Sequence, residues 1–264
     1  MPPTPPIALT IAGSDCSGGA GIQADLKTFQ HFGVHGLSAI TSIVAETPLE
    51  VRQWAPVDIP LLQDQINIVL DTYSVSVVKT GLLPSLMVII AVAEILEKRN
   101  IPLVVDPVMI ASTGTSLIHE DTSGTLSSRL LPITTLVTPN MSEASALLNR
   151  DVTTRQDLEA AARDIAETYH TSCLLKGGHL PGNGDRLDML WHDGLAYPFS
   201  HPMCDIPKGI HGTGCTLSAA IAAGLAHRQP LETAVEKGIH YVQQLIQDAH
   251  MWHHNGQTIQ CLGW

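Results

Sequence analysis

Ile7-Ala8-Leu9-Thr10-Ile11-Ala12 runs straight into Gly13-Ser14-Asp15-Cys16-Ser17-Gly18-Gly19-Ala20-Gly21, and then into the helically spaced apolar residues of Ile22 to Phe32. An almost continuously apolar run of strand length reads as a strand covered on both faces. A glycine-rich turn followed by a periodic segment makes it the first half of a βα unit. The same alternation recurs along the chain. Ser38 to Val44, Val75 to Lys79, Leu103 to Val105, Leu136 to Thr138 and Cys173 to Lys176 are the further strand candidates. Leu61 to Tyr73, Leu86 to Lys98 and Leu158 to Tyr169 supply helices between them, the last entered through Thr153-Thr154 with Asp157 and Glu159 in its first turn. Alternating units of this kind predict an α/β fold with a doubly wound, mostly parallel sheet.

Past these units the pattern changes. Gly182 to Asp185 reads as a turn-rich loop, and Asp188 to His192 and Ala196 to Ser200 flank Asp193-Gly194 as a hairpin on an antiparallel edge. Two long helical segments follow, roughly Gly214 to Ala226 and Leu231 to Trp252. No repeat or linker divides the sequence, so residues 1–264 are expected to form a single domain.

Composition narrows the function. Fourteen Lys and Arg stand against 25 Asp and Glu, a formal charge of −11 that repels nucleic acid. An anionic nucleotide can then bind only through a local device, such as a helix N-terminus, a lysine or a metal ion. The five cysteines form no C-x-x-C pair, the opening residues lack the basic start and long apolar core of a signal peptide, and no apolar stretch reaches membrane-spanning length. A cytoplasmic protein with reduced thiols and no membrane partner is expected.

The residues after each strand carry the chemistry, because open parallel sheets bind ligands beyond their carboxyl ends. His211-Gly212-Thr213-Gly214-Cys215-Thr216 precedes the small apolar run Leu217 to Leu225. Two glycines admit a ligand close to the backbone, and a helix starting there offers unpaired N–H groups and a positive dipole end to an anion. The segment reads as a cradle for a migrating phosphoryl group, with Cys215 in the first helical turn, where a lowered thiol pKa would make it a proton acceptor. The alternative is a tight loop with Cys215 as a small packing residue. Gly13 to Gly21 fits neither the dinucleotide nor the P-loop fingerprint, leaving a close-approach loop for a small substrate or an ordinary strand-to-helix turn. Asp106 and Glu143, each placed after a strand, suit a magnesium ion beside nucleotide phosphates, or else cap helices. Lys176 ends a mostly apolar strand, within reach of a phosphate or at the surface. The 13 histidines form no H-E-x-x-H zinc motif, and Trp252 and Trp264 carry no sign of stacking.

Assembled, these motifs resemble the hydroxymethylpyrimidine/phosphomethylpyrimidine kinases. The resemblance rests on Ala8 to Asp15, Ser17 to Phe29, Val105-Asp106-Pro107-Val108-Met109, Thr138-Pro139-Asn140 with Glu143, Leu175 to Leu180 and His211 to Ala220, in order from Ile7 to about the last helix. It implies a ribokinase-like three-layer α/β/α sandwich, usually a homodimer. It further implies ATP and Mg²⁺, and phosphorylation first of an aminopyrimidine's hydroxymethyl group and then of the resulting monophosphate. Carried over by position, Gly212, Thr213, Gly214 and Cys215 form the anion hole, Cys215 standing where many sugar kinases of the superfamily have a catalytic aspartate. Asp106 and Glu143 fall in the magnesium region. Lys176, Asn140 and Lys237 fall near ATP, and Gly13, Asp25 and Val44 near the pyrimidine.

Two positions depart from the family pattern. Ala45-Glu46-Thr47-Pro48 has Glu46 where the family reads its pyrimidine with a glutamine, and Ala111-Ser112-Thr113-Gly114 lacks a lysine usual near the nucleotide. A pyridoxal or pyridoxine kinase of the same superfamily is the competing enzyme, separated by the residue at Glu46 and its surroundings. A non-catalytic ligand-binding relative is the competing class, and the intact Gly212 to Cys215 loop with Asp106, Glu143 and Lys176 argues against it.

Overall fold

The opening apolar run forms β1 (Ile7–Asp15), and helix α1 (Gly21–His31) follows the glycine-rich turn. The structure is a computed structural model, describing residues 4–108, 122–178, 185–202 and 210–264. The 111–114 and 182–184 stretches singled out above lie outside the described residues. Next come β2 (His35–Thr47), β3 (Glu50–Pro56), α2 (Ile59–Thr72), β4 (Val77–Thr80), α3 (Leu86–Leu96) and β5 (Leu103–Val105). A short helix α4 (Thr122–Thr125) leads through two tight turns to β6 (Leu136–Val137), α5 (Met141–Leu148), α6 (Asp157–Tyr169) and β7 (Ser172–Leu175). The hairpin β8 (Arg186–His192) and β9 (Leu195–His201), helices α7 (Thr213–Ala226) and α8 (Leu231–Gln247), and the hairpin β10 (His250–His254) and β11 (Gln257–Cys261) complete the chain.

One nine-stranded sheet orders its strands β3-β2-β1-β4-β5-β6-β7-β8-β9. The six from β2 to β7 run parallel, while β3 and the β8–β9 hairpin add antiparallel edges. Alternate side chains of each strand feed opposite cores, as a period of two requires. Leu9, Ile11, Val78, Val105, Val137 and Leu175 pack against α2, α3, α5 and α6. Ala8, Val77, Val104, Leu136 and Leu174 pack against α7 and α8. Each fully buried Leu or Ile contributes about 1.5–3 kcal/mol, and covering both faces explains why the strands read as unbroken apolar runs.

The parallel strands all end at one edge of the sheet, so every loop carrying a candidate residue opens on the same side. Local capping fixes several of the helices there. Ser85 caps α3 by accepting from the Val88 N–H, and Asn140 and Glu143 form a reciprocal capping box at the start of α5. Asp193 and Gly194, both at positive φ, make the tight turn of the β8–β9 hairpin.

The final segment differs from expectation. Helix α8 stops at Gln247, and Trp252 lies in β10, within a hairpin turned by Asn255-Gly256 at φ 49° and 74°. That dipeptide is a strong hairpin signal, and it outweighs the helical spacing of the residues before it. Strand β3 was likewise not foreseen; β2 continues past Val44 to Thr47 and folds back on itself, with a bulge between Ala45 and Glu46. Among the described residues no helix is long and apolar enough to cross a membrane.

Candidate active site

Helix α7 begins at the mouth of the sheet because Gly212 enters it at φ 85°, a conformation that favours glycine. A Cβ on Gly212 would lie 1.8 Å from the Gly19 carbonyl oxygen, and one on Gly19 would lie 2.7 Å from His211 Nε2. Two glycine-rich loops, 190 residues apart in sequence, are therefore docked backbone to backbone. Thr213 and Gly214 open the helix, with their N–H groups in the unpaired first turn.

A charged pair lies directly against that turn. Lys176 Nζ donates to Asp106 Oδ1 at 3.1 Å, and a Cβ added at Gly214 would lie 3.4 Å from Lys176 Nζ and 3.6 Å from Asp106 Oδ2. Thr138 and Ser218 hydroxyls donate to Asp106 at 3.4 Å each. Burial works against the Lys176 charge, but Asp106 and Glu143 outweigh it and hold the ammonium above its ordinary range. Asn140 and Glu143 stand alongside as the α5 capping box, with bonds of 2.8 and 2.9 Å, and Lys176 pairs in a bridge with Asn140. Lys237 lies in α8 and is exposed.

Across the loop, Asp15 anchors the β1–α1 turn. Its carboxylate accepts from the N–H groups of Ser17, Gly19 and Ala20 at 2.7, 2.9 and 2.8 Å, from the Ser17 hydroxyl at 3.0 Å, and pairs with His211 Nε2 at 3.2 Å. Burial alone would raise its pKa, yet the hydrogen bonds from His211 and Ser17 and the His211 charge hold it below the usual carboxylate range. Neither Asp15 nor His211 was singled out from the sequence as a site residue; an acid at the end of an apolar strand before a run of glycines was the available signal.

Gly13, Val44 and Leu82 pack together next to this turn. Val44 and Leu82 are buried together with Trp54 and Val108 against them, and a Cβ on Gly13 would meet Ser42 Oγ at 2.8 Å and Leu82 at 3.2 Å. The Ser42 and Thr80 hydroxyls are buried without a hydrogen-bond partner among the described residues. Glu46, on the same strand, is half-buried, and burial and the Asp15 charge raise its pKa while His211 lowers it. It lies in β2, paired with Val51 of β3.

Asp25 is placed differently from its neighbours Gly13 and Val44. Its carboxylate has no exposed surface, because Lys79 Nζ donates to both oxygens at 2.9 Å and Thr10 Oγ1 to one at 2.6 Å. Burial opposes the Lys79 charge, but Asp25 and Asp106 outweigh it and hold the ammonium well above the ordinary lysine range. A buried lysine in the middle of an apolar strand, unremarked in the sequence, thus forms an internal ion pair beneath the site.

Cys215 corrects one expectation. The helix start was expected to lower its thiol pKa, whereas burial pushes it up to about 12, past the opposing pull of Lys79 and the Gly21 N–H. Asp106 and Asp25 add to the rise. The thiol is protonated at neutral pH, because desolvation of a thiolate outweighs a helix dipole of half a charge.

The sequence matches the family model described as Phosphomethylpyrimidine kinase over residues 15–260. This chain belongs to the phosphomethylpyrimidine kinase family. A Streptomyces coelicolor relative named hydroxymethylpyrimidine/phosphomethylpyrimidine kinase is 39% identical over 245 residues, covering 93% of this chain and 90% of that one. A Schizosaccharomyces pombe relative, provisionally given the same kinase name, is 43% identical over 260 residues; the alignment covers 91% of this chain but 47% of that protein, so the chain spans about half its length. Among solved structures, an ADP complex of Bacillus subtilis pyridoxal kinase superposes with a TM-score of 0.88 at 32% identity, covering 98% of each chain. The ribokinase-like α/β/α sandwich that the resemblance implied is the fold found, and the family's motifs fall at the mouth of its sheet.

Proposed function

We propose that the protein transfers the γ-phosphoryl group of ATP to the hydroxymethyl oxygen of 4-amino-5-hydroxymethyl-2-methylpyrimidine, and then phosphorylates the resulting monophosphate. The observation that carries this reading is the first turn of α7 set against the Lys176–Asp106 pair. In each step the acceptor oxygen forms a bond to the γ-phosphorus, the bond to the ADP oxygen breaks, and the acceptor's proton leaves. Free N–H groups at Thr213 and Gly214 and the Lys176 ammonium stabilise charge on the migrating group. The transition state is loose, so the proton is lost late, and Cys215 takes it as a strong base present in small amount. The ADP complex of the Bacillus subtilis neighbour supports a nucleotide as donor.

Magnesium is part of the same reading. Among the described residues no three His, Cys, Asp or Glu side chains converge to make a full protein cage. Asp106 and Glu143 fit instead an ion that keeps water and phosphate oxygens as most of its ligands, and when bound it neutralises charge between the β- and γ-phosphates. Asp106→Asn and Glu143→Gln are each expected to raise the Mg²⁺ concentration needed for half-maximal rate, with excess Mg²⁺ restoring part of the lost activity. A magnesium titration of both variants checks this, and unchanged half-saturation in either removes that residue from the metal region.

Glu46 sets the acceptor preference in this reading. A pyrimidine edge offers a ring nitrogen that accepts and an amine that donates; an ionised glutamate only accepts, while a protonated one answers both. Glu46 has its pKa raised, so it holds a proton to higher pH than an ordinary glutamate. Apparent KM for hydroxymethylpyrimidine is therefore expected to worsen as pH rises through the Glu46 titration, and Glu46→Gln to flatten that dependence. Parallel KM profiles from acid to alkaline pH in the two proteins would show that Glu46 does not share a proton with the substrate. The protein is further proposed to act as a cytoplasmic homodimer, with the exposed Ile43 and Leu49 of the β2–β3 ribbon as apolar side chains a second copy would cover; sedimentation velocity measures the assembly directly.

A further inference from the structure

We propose that the Asp15–His211 ion pair is a positioning joint that holds the glycine-rich 16–20 loop and the anion hole at residues 212–215 as one rigid unit, and so fixes the acceptor relative to the phosphoryl group. The proposal rests on the kinase reading for its functional half and on geometry alone for its structural half.

The Asp15 and His211 side chains are 1% and 4% exposed, and their contact at 3.2 Å is a side-chain link between the two loops. On one side of the joint the Asp15 carboxylate gathers the N–H groups of Ser17, Gly19 and Ala20 and the Ser17 hydroxyl, which together set the course of the loop. The Asp15 N–H is itself held by Gln23 Oε1 at 3.0 Å, and Gln23 Nε2 donates to Ser14 Oγ at 2.8 Å, so the carboxylate is aimed from a braced backbone. On the other side His211 directly precedes Gly212, whose carbonyl accepts from the Thr216 N–H at 2.9 Å and hydroxyl at 2.8 Å as α7 begins.

Space is as restrictive as charge. Beyond the Gly19–Gly212 contact, Gly21 sits at φ 57° with a hypothetical Cβ 2.3 Å from the Gly13 carbonyl oxygen. A side chain at Gly19 or Gly212 would drive the two loops apart. A loop carrying the acceptor and a helix start carrying the anion hole need that constraint, since a misplacement of about 1 Å costs phosphoryl transfer up to about 10²-fold.

The test combines a substrate-free readout with a kinetic cycle. In His211→Ala, hydrogen exchange followed by mass spectrometry is expected to accelerate at least about tenfold at the Gly19 and Ala20 amides, far away in sequence, as local opening becomes easier. Asp15→Asn is expected to do the same to the 212–216 amides. His211→Gln, which keeps a donor, is expected to retain most of the protection and serves if His211→Ala does not fold. Kinetically, each of Asp15→Asn and His211→Ala is expected to lower kcat about 10- to 10²-fold with KM for ATP within about twofold, and the double variant to be no worse than the poorer single, as for residues acting as a unit. Unchanged exchange at Gly19 and Ala20 in a folded His211→Ala overturns the joint, as do kcat losses that multiply. The exchange readout needs no acceptor, so the joint can fail while the pyrimidine assignment stands, and the reverse.

Discussion

Cys215→Ala is expected to lower kcat by a factor of about 10² to 10⁴ while ATP still binds, the range for losing a positioned proton acceptor. The raised thiol pKa adds a condition that separates chemistry from packing. With the thiol pushed up to about 12, the thiolate fraction rises about tenfold for each pH unit through the neutral and alkaline range. The parent kcat is therefore expected to climb with pH until another step limits it, and Cys215→Ala to lose both the rate and the slope. Cys215→Ser keeps the size but has a far weaker acid, so it is expected to behave like the alanine variant. A parent profile that is flat, or an alanine variant of nearly full rate, would leave Cys215 a small buried residue filling the first turn of α7. The pH dependence of kcat is distinct from that expected of the pyrimidine KM through Glu46, and saturating acceptor separates the two.

Lys79→Met is expected to destabilise the fold by about 3–5 kcal/mol, because it strands the Asp25 carboxylate without its partner in a place where neither side chain has exposed surface. The double change Lys79→Met/Asp25→Asn removes both charges and leaves Thr10 a neutral partner, so most of that loss should return. Urea unfolding of the parent, the single and the double variant measures both numbers. A single variant within about 1 kcal/mol of the parent would show that the pair contributes little, as exposed pairs do. Such cost makes the pair an expensive way to fill the space between β1, α1 and β4 when apolar residues could pack there. Its position explains the retention better: Asp25 and Asp106 both act on the Lys79 charge, and Cys215 is eased toward its thiolate by it.

The sheet was legible because covering both of its faces forces unbroken apolar runs, and β1, β2, β4, β5, β6 and β7 each fall on one of them. The loops at its mouth were legible as motifs, since Gly212 and Gly21 are needed at positive φ and leave a pattern of glycines in the sequence. What the sequence concealed is pairing between distant residues. Asp15 reads as part of a glycine-rich turn, and only the folded chain places it against His211; Lys79 reads as the last residue of a strand and proves to have an internal partner on α1. The pKa of Cys215 was misjudged for the same reason. A helix start is visible in sequence, whereas the degree of burial that outweighs its dipole depends on what the rest of the chain packs over it. Glu143 and Asn140 illustrate a residue pattern with two meanings, for the capping box that they form does not remove them from the mouth of the sheet.

The acceptor is identified by comparing four candidate substrates side by side. Purified protein is incubated with ATP and Mg²⁺ against hydroxymethylpyrimidine, its monophosphate, pyridoxal and pyridoxine in parallel, and the phosphorylated products are identified and their kcat/KM values compared. The account predicts ADP formation that depends on acceptor, with the pyrimidine and its monophosphate both phosphorylated and preferred over the vitamin B6 compounds. Preferential phosphorylation of pyridoxal, or no acceptor-dependent turnover with any of the four, would contradict it.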